Sequence, residues 1–373
     1  MGTVRLLLAV SVVVTHYGES SLLGFQFVDG LSAVEAFFAI SGFFITLILN
    51  ENPAYRDPGK FYLSRYTRLL PTYAVIVILS LSLTSQLAWY GLTFRSLQFP
   101  TQIFIVLSNL SLFFQDWFYL LQINYETGAL EFTPNFLAGT KTPLWQFLVV
   151  PQAWSLGVEV VFYVMSPFIA RSPVRLAALL LLSAGCRYLF YILGLTEDPW
   201  PYRTTAGEMM LFAAGGLSYF AGRGLVKEKP GPLLLVVALG GWIAIILLCA
   251  ARNLVFAFPA VVATYPLLYE PLVLREPVFL LLIILWAPLI FLVTRNSRID
   301  AFLGDLSYPV YLSHMLIANT LNIPYGGPAP HGAIPYVLIV IGASTALLYL
   351  VEYPVNHLRA RRFGARESSK AAH

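Results

Sequence analysis

The chain has 373 residues, of which 58% are hydrophobic and only 11% are charged, and its mean hydropathy is +0.73. A soluble globular domain carries roughly a quarter charged residues, so this composition excludes that class and indicates a polytopic membrane protein. The formal net charge is +4. We expect membrane lipid around the chain and no nucleic-acid partner.

The apolar runs are continuous, whereas the strands of a membrane barrel would alternate apolar and polar residues. The sequence therefore predicts an all-α integral membrane helix bundle of about ten transmembrane helices. In chain order the predicted spans are 5–23, 29–50, 71–90, 152–170, 176–195, 204–222, 232–250, 277–294, 306–323 and 333–352. Two further apolar stretches, 101–121 and 254–270, are interrupted or flanked by polar residues and proline, so they could span, re-enter or lie at the interface.

Ten crossings with a cytoplasmic N-terminus place all the basic clusters on the cytoplasmic side, as the positive-inside rule requires. Those clusters lie near residues 56–68, 171–175, 223–229, 295–298 and 359–362. We therefore expect both termini in the cytoplasm. The chain divides into a transmembrane domain, 1–354, and a basic cytoplasmic tail, 355–373, which we expect to be disordered from Arg359 onward.

The first predicted span carries Arg5 and His16 on one face. Their separation of eleven residues is three helical turns plus about 20°, so both side chains lie on one stripe about 16 Å apart along the axis. A cation and a base on one face of an apolar helix indicate a shared role.

A charged side chain inside a span costs about 2.5–3.5 kcal/mol at the bilayer centre, so ionisable residues there are functional candidates, and four of them stand out. They are His16, Glu35, Glu159 and His314. From their positions in the spans, the first three are predicted to lie at about the same depth, roughly 10 Å from the outer surface, and His314 slightly deeper. This arrangement favours one site in which carboxylates orient a catalytic base. Interhelical hydrogen bonding without chemistry is the alternative for each of them.

Arg65 and Arg68 stand at i and i+3 immediately before the third predicted span, interleaved with Tyr62 and Tyr66. The spacing puts both guanidinium groups on one helix face, which suits a phosphate ligand beside an aromatic ring. Basic residues at this place also orient a span, so the pattern alone leaves both readings open. No metal site is expected, because the sequence has no His-x-x-x-His pair or carboxylate-rich cluster.

Several segments, taken in order, closely resemble membrane-bound acyltransferase family 3. They are Arg5 with His16, Val34 to Phe43, Arg65-Tyr66-Thr67-Arg68 with Pro71, Trp154-Ser155-Leu156-Gly157-Val158-Glu159 with Phe162-Tyr163, Gly304 with Ser307 to His314, and Glu352-Tyr353-Pro354. The resemblance covers residues 5 to 354. Each string is weak alone, and their order and spacing make the resemblance specific.

The resemblance implies transfer of an acyl group, usually acetyl from cytoplasmic acetyl-CoA, to a hydroxyl of a glycan or another molecule at the exterior face. His16 would be the general base or an acyl relay, and Arg5 the arginine near the donor. Arg65 and Arg68 would hold the phosphates of coenzyme A. Glu35 and Glu159 would orient the imidazole or the acceptor. Candidates for the oxyanion or acceptor site are Trp154, Ser155, Tyr308 and His314.

The sequence departs from the family pattern in two places. It begins Met1-Gly2-Thr3-Val4, where the family commonly has Asp-Gly ahead of the arginine, so we expect the true start to lie upstream or the first turn to be shortened. The fused exterior hydrolase-like domain of some members is also missing, which leaves room for a separate exterior transferase as a partner. The expected location is the bacterial cytoplasmic membrane.

Three other functions stay open from the sequence. The first is a transporter or flippase-like protein that moves an acyl or glycan substrate without chemistry, although no internal repeat is visible. The second is a structural subunit of a polysaccharide-export assembly. The third is acyl transfer to a small molecule such as a macrolide.

Overall fold

A computed structural model describes residues 1–16, 27–84, 93–137, 141–227, 231–257, 275–323 and 332–363. Within these ranges the chain forms twelve α-helices. They are α1 (Gly2–His16), α2 (Gly30–Glu51), α3 (Pro58–Leu83), α4 (Phe99–Ser111), α5 (Trp154–Ile169), α6 (Pro173–Ile192), α7 (Thr205–Lys227), α8 (Pro232–Ala257), α9 (Arg275–Thr294), α10 (Arg298–Thr320), α11 (Ala333–Leu347) and α12 (Tyr353–Phe363).

Each of the ten predicted spans overlaps one of these helices, so the helical bundle is confirmed. In the described ranges, six helices are long and apolar enough to cross a bilayer. They are Gly30–Glu51, Pro58–Leu83, Pro151–Ile169, Pro173–Ile192, Pro277–Thr294 and Ala333–Arg359. The predicted count of about ten is therefore not confirmed. The outer end of the first predicted span, from residue 17, lies outside the described residues.

Local capping determines where two of the helices that build the site begin. Asp29 accepts a hydrogen bond from the Ser32 amide at 2.9 Å and so starts α2. Asp57 caps α3 in the same way, and Pro58 occupies the first turn, where its missing N–H is not needed. Because of this start, α3 begins well before the span predicted from residue 71.

A small antiparallel sheet lies between α4 and α5. Strands β1 (Leu121–Asn124), β2 (Ala129–Phe132) and β3 (Thr142–Pro143) have the order β2-β1-β3. The all-helical prediction misses this sheet, because these strands are too short for a periodic signal. Of the ambiguous stretch 101–121, residues 101–111 belong to the 13-residue α4, which ends where Leu112 adopts a left-handed conformation with φ 64°. The remainder includes a 3-10 helix, Asp116–Tyr119, and the first residue of β1. Of the stretch 254–270, residues 258–270 lie outside the described residues.

Direct backbone contact holds α2 against α7. A Cβ added at Gly42 would lie 2.0 Å from the Phe212 carbonyl oxygen, and one added at Gly215 would lie 1.8 Å from that of Ala39. The two helices therefore approach each other only because both positions lack a side chain. Small residues at such crossings are typical of membrane helices, where backbone proximity supplies the packing energy.

The start of α1 docks on α10. The Asp300 carboxylate accepts hydrogen bonds from the Gly2 amide at 2.7 Å and from the Thr3 amide at 2.9 Å. Asp300 therefore satisfies donors of the first helical turn from another helix. Gly2 lies against the Asp300 carbonyl, where a Cβ would be 1.6 Å from the oxygen. This docking fixes α1, and with it Arg5 and His16, against α10.

The C-terminal segment is ordered further than predicted. One π-helical turn, Leu348–Glu352, joins α11 to α12, and α12 packs against α3. Part of the segment predicted to be disordered from Arg359 is thus helical, because α12 has a neighbouring helix to pack on. Residues 364–373 lie outside the described residues.

Candidate active site

A cavity of about 460 Å³ lies among α1, α2, α3, α5, α10 and α12. At one end, which we name the basic end, arginine side chains line its wall. They are Arg5, Arg65, Arg68, Arg295 and Arg359. Four carboxylates share the cavity wall: Glu159, Asp300, Asp305 and Glu352. The cavity thus has the size of a small-molecule site and a strongly charged lining.

The structure brings together the three arginines that the sequence singles out. Arg5 of α1 interacts electrostatically with Arg68 of α3 and with Glu159 of α5. Arg65 lies on the same face of α3 as Arg68, as its spacing predicts, and is 3% exposed. Cations from two helices therefore converge on one cavity, which is the arrangement that an anionic ligand requires.

The aromatic neighbours of Arg65 differ from those predicted. Its guanidinium lies 5.9 Å from the ring centre of Tyr55 and 5.9 Å from that of Phe61. Tyr62 instead donates to the Val164 carbonyl at 2.9 Å, and Tyr66 donates to the Ser111 carbonyl. The interleaved tyrosines thus tie α3 to its neighbours, Tyr62 to α5 and Tyr66 to the last residue of α4.

Glu159 is held in a fixed orientation inside the cavity. One carboxylate oxygen, Oε1, accepts hydrogen bonds from Ser41 of α2 at 2.8 Å and from Tyr163 one turn along α5 at 2.7 Å. These two hydroxyl donors restrict the rotation of the carboxyl group. Glu159 therefore lies in the cavity wall beside the arginines of the basic end, where the sequence analysis expected a site residue.

His16 and His314 lie side by side, with ring centres 5.0 Å apart. His16 Nδ1 is 2.9 Å from the Val12 carbonyl oxygen, and His314 Nδ1 is 2.7 Å from that of Tyr311. A carbonyl can only accept, so in both rings Nδ1 carries the proton and Nε2 keeps its lone pair in the neutral form. Backbone carbonyls fix both tautomers, and each Nε2 is left as the basic atom.

Ser155 and Tyr311 line the cavity, and the Tyr311 ring lies close to that of His314. Their hydroxyl oxygens are 2.7 Å apart, and both lie within hydrogen-bonding distance of the Gln152 carbonyl. The Tyr311 ring centre lies 6.0 Å from that of His314. Ser155, predicted as an oxyanion donor, is thus at the cavity, and Tyr311 is a hydroxyl that the sequence analysis missed. The signal for Tyr311 was present in the late motif, three residues before His314.

The other predicted hydroxyl and the predicted indole are engaged elsewhere. Tyr308 lines the cavity, and its hydroxyl donates to the Leu69 carbonyl at 2.7 Å. Trp154 is buried, and the guanidinium of Arg203 lies 4.8 Å from its ring centre. Tyr308 therefore acts as a bridge between α10 and α3, and Trp154 as part of an aromatic enclosure around Arg203.

Glu35 lies in a separate ion cluster. Its carboxylate is 2.9 Å from Arg187 of α6, and the same guanidinium group is 2.7 Å from Glu208 of α7. Glu208 is fully buried, and Arg187 is 27% exposed. The structure thus brings Glu159 and the arginines around one cavity, places His16 beside His314 and not in the lining of that cavity, and places Glu35 in an ion cluster with Arg187.

Metal ligands are not clustered in the described part of the chain: no group of three or more His, Cys, Asp or Glu side chains is placed to hold an ion there. The polar groups that the cavity offers are guanidinium, carboxylate and hydroxyl. Together they suit an organic anion.

Comparison with known proteins gives one positive result. No curated protein and no solved structure matches the chain. A family model described as an acyltransferase domain matches residues 2–353, which is nearly the whole chain. That match includes Arg5, His16, Arg65, Arg68 and Glu159 of the cavity region. The chain therefore belongs to membrane-bound acyltransferase family 3.

Proposed function

We propose that this integral membrane acyltransferase moves an acetyl group from acetyl-CoA to a hydroxyl of an envelope or exported glycan, with His16 as general base or acyl relay. The observation that carries the proposal is one cavity lined by three predicted donor-binding arginines, Arg5, Arg65 and Arg68, whose wall at Ser155 and Tyr311 adjoins the histidine pair. Phosphates would bind at the basic end, and the thioester would point toward His16.

The charge of the cavity supports an acyl-CoA donor. Coenzyme A carries its negative charge on phosphates, and guanidinium groups bind phosphate oxygens through paired N–H donors. Glu159 lies at the boundary between the arginines and the hydroxyls, where it would orient a bound group or balance the positive charge. The family membership favours this chemistry over transport without reaction.

Two routes for the acyl group fit the geometry. In direct transfer, His16 Nε2 takes the proton of the acceptor hydroxyl, whose oxygen attacks the thioester carbon. The carbon–sulfur bond then breaks, and the thiolate leaves with that proton as the thiol. In a relay, His16 Nε2 attacks the thioester carbon, the carbon–sulfur bond breaks and coenzyme A leaves as the thiolate. The acceptor hydroxyl oxygen then attacks the acyl carbon, the carbon–nitrogen bond to the imidazole breaks, and the thiolate takes up the hydroxyl proton. Ser155 and Tyr311 are the hydroxyls that would donate to the oxyanion.

The proposed orientation puts the basic end and both termini on the cytoplasmic side of a bacterial inner membrane, where acetyl-CoA is made. The acceptor would then reach the opposite end of the cavity. A separate exterior transferase could take over the acyl group there. A small-molecule acceptor such as a macrolide is the alternative substrate class.

His16 gives the direct test of the reaction. His16→Gln should lower acetylation of envelope and secreted glycans, measured by mass spectrometry, by roughly 10²–10⁴-fold, the usual contribution of a general base. The matched control is His357→Gln, because His357 is exposed on α12. Unchanged acetylation by a well-folded His16→Gln protein would refute the catalytic role.

The same variants separate the two routes. After brief mixing with labelled acetyl-CoA and acid quenching, a relay predicts one acetyl group on the peptide that contains His16, absent in His16→Gln. Direct transfer predicts no labelled peptide in either protein. Glycans compared with and without the enzyme also identify the acceptor.

A further inference from the structure

Arg359 of α12 lies beyond the residues that the family match covers, which end at 353. Its side chain nevertheless lines the cavity together with Arg65 and Arg68, and it is 8% exposed. A guanidinium group in such a position needs compensating partners, since burial removes it from water. Its hydrogen-bond partners include Asn356 and Ser64.

Those partners hold Arg359 beside Arg65. Arg359 Nη1 donates to Asn356 on the same helix at 2.7 Å, and Nη2 donates to the Ser64 hydroxyl of α3 at 3.2 Å. Ser64 also lies 2.9 Å from the Tyr55 hydroxyl, and Tyr55 flanks Arg65. These contacts fix the side chain of Arg359 in the cavity wall next to Arg65. Glu352 interacts electrostatically with both Arg359 and Arg68 and balances part of the positive charge.

The positions of Arg5 and His16 along α1 order these groups relative to the histidine pair. Ser64 lies about one helical turn before Arg68 on α3. Arg359 of α12 donates to Ser64 and therefore lies at the level of that turn. Arg5 of α1 interacts electrostatically with Arg68, and His16, whose ring lies beside that of His314, is about 16 Å farther along α1. Arg359 and Arg65 therefore occupy the end of the cavity remote from the histidine pair. In coenzyme A, the ribose 3′-phosphate is likewise remote from the thioester.

We propose that Arg359 binds the ribose 3′-phosphate of the acyl-CoA donor together with Arg65, so that α12 forms part of the donor site. This inference rests on the proposed function, because it assumes an acyl-CoA ligand. In this proposal α12 binds the donor substrate, whereas the sequence analysis placed these residues in a cytoplasmic tail.

Binding of coenzyme A and of 3′-dephospho-coenzyme A to the purified full-length protein in detergent tests the assignment by calorimetry. Arg359→Ala should weaken coenzyme A binding by about tenfold or more, as expected for a lost charge-assisted hydrogen bond. It should leave the affinity for 3′-dephospho-coenzyme A unchanged. Arg361→Ala is the matched control, because Arg361 is exposed on the same helix. Arg359→Gln, which keeps a donor for Ser64, should show the same loss and exclude a folding effect.

Either of two results would overturn the inference: coenzyme A affinity in Arg359→Ala equal to that in Arg361→Ala, or an equal loss for both ligands. The double variant Arg65→Ala/Arg68→Ala separates this failure from that of the proposed function. If the double variant loses coenzyme A binding and Arg359→Ala does not, only the role of Arg359 fails. If none of them alters binding, the acyl-CoA site itself is refuted.

Discussion

Replacing Gly215 by alanine should separate two helices that now touch through their backbones. The added Cβ would lie 1.8 Å from the Ala39 carbonyl oxygen and 2.7 Å from its carbon. An ordinary contact needs a separation of about 3.5 Å, so α2 and α7 would have to move apart by more than 1 Å. Backbone atoms cannot swing aside as a flexible side chain can.

The expected cost is large for a single methyl group. Overpacking costs about 1–3 kcal/mol, and a clash with backbone belongs at the upper end of that range. The higher helix propensity of alanine relative to glycine stabilises α7 by about 1 kcal/mol and offsets part of this cost. We therefore expect the free energy of unfolding to fall by about 2 kcal/mol, which is roughly a thirtyfold shift in the folding equilibrium. Activity should fall as well, because α2 carries Ser41, which hydrogen-bonds to Glu159.

Unfolding by SDS titration from mixed micelles, followed by tryptophan fluorescence, measures this cost. The matched control is Gly185→Ala on α6, where an added Cβ meets no atom within 4 Å. The control should unfold at the wild-type SDS fraction or slightly above it, and Gly215→Ala well below it. If the two variants unfold at the same fraction, the close approach of α2 and α7 is wrong.

Two further predictions concern buried charges away from the cavity. Arg187→Ala leaves the carboxylates of Glu35 and Glu208 without their shared partner, so it should lower the unfolding free energy by about 3–5 kcal/mol in the same titration. Asp116 is buried and accepts from the Thr205 hydroxyl at 2.6 Å, and burial raises the pKa of Asp116 above its usual value. Because the folded state binds this proton more tightly, the wild type should lose stability as pH rises through the raised pKa, and Asp116→Asn should lose less.

Each of these has a clear contrary result. An unchanged SDS midpoint for Arg187→Ala would show that the ion cluster does not contribute to stability. For Asp116, the midpoints of the wild type and of Asp116→Asn are compared between about pH 4 and pH 8. Parallel curves would show that the carboxyl group of Asp116 titrates alike in the folded and unfolded states.

Local sequence was enough to predict the helices and part of the site. Long apolar runs force helix formation in lipid, since each backbone polar group must find a partner within its own segment. The i, i+3 spacing of Arg65 and Arg68 and the separation of Arg5 and His16 predict shared faces, because the helix period is a property of the backbone. Family motifs then predicted acyl transfer, and the family match confirms that general activity.

Contacts between distant segments could not be predicted in the same way. Glu35 and His16 were assigned to one site from their similar depth, yet Glu35 pairs with Arg187 of α6, far along the chain. Depth in a span says how far along a helix a residue lies, and helix rotation and crossing decide which residues it meets. Those depend on packing such as the contact of Gly42 and Gly215.

The sequence by itself determined a helical membrane protein of the acyltransferase family, because hydropathy, helix period and ordered motifs are all local properties of the chain. Only the tertiary structure decided that Glu159 shares the cavity of the arginines, that Tyr311 joins Ser155, and that Arg359 enters from α12. The physical reason is that buried polar groups must find partners. Which partners they find is settled by how helices far apart in sequence cross and rotate against one another.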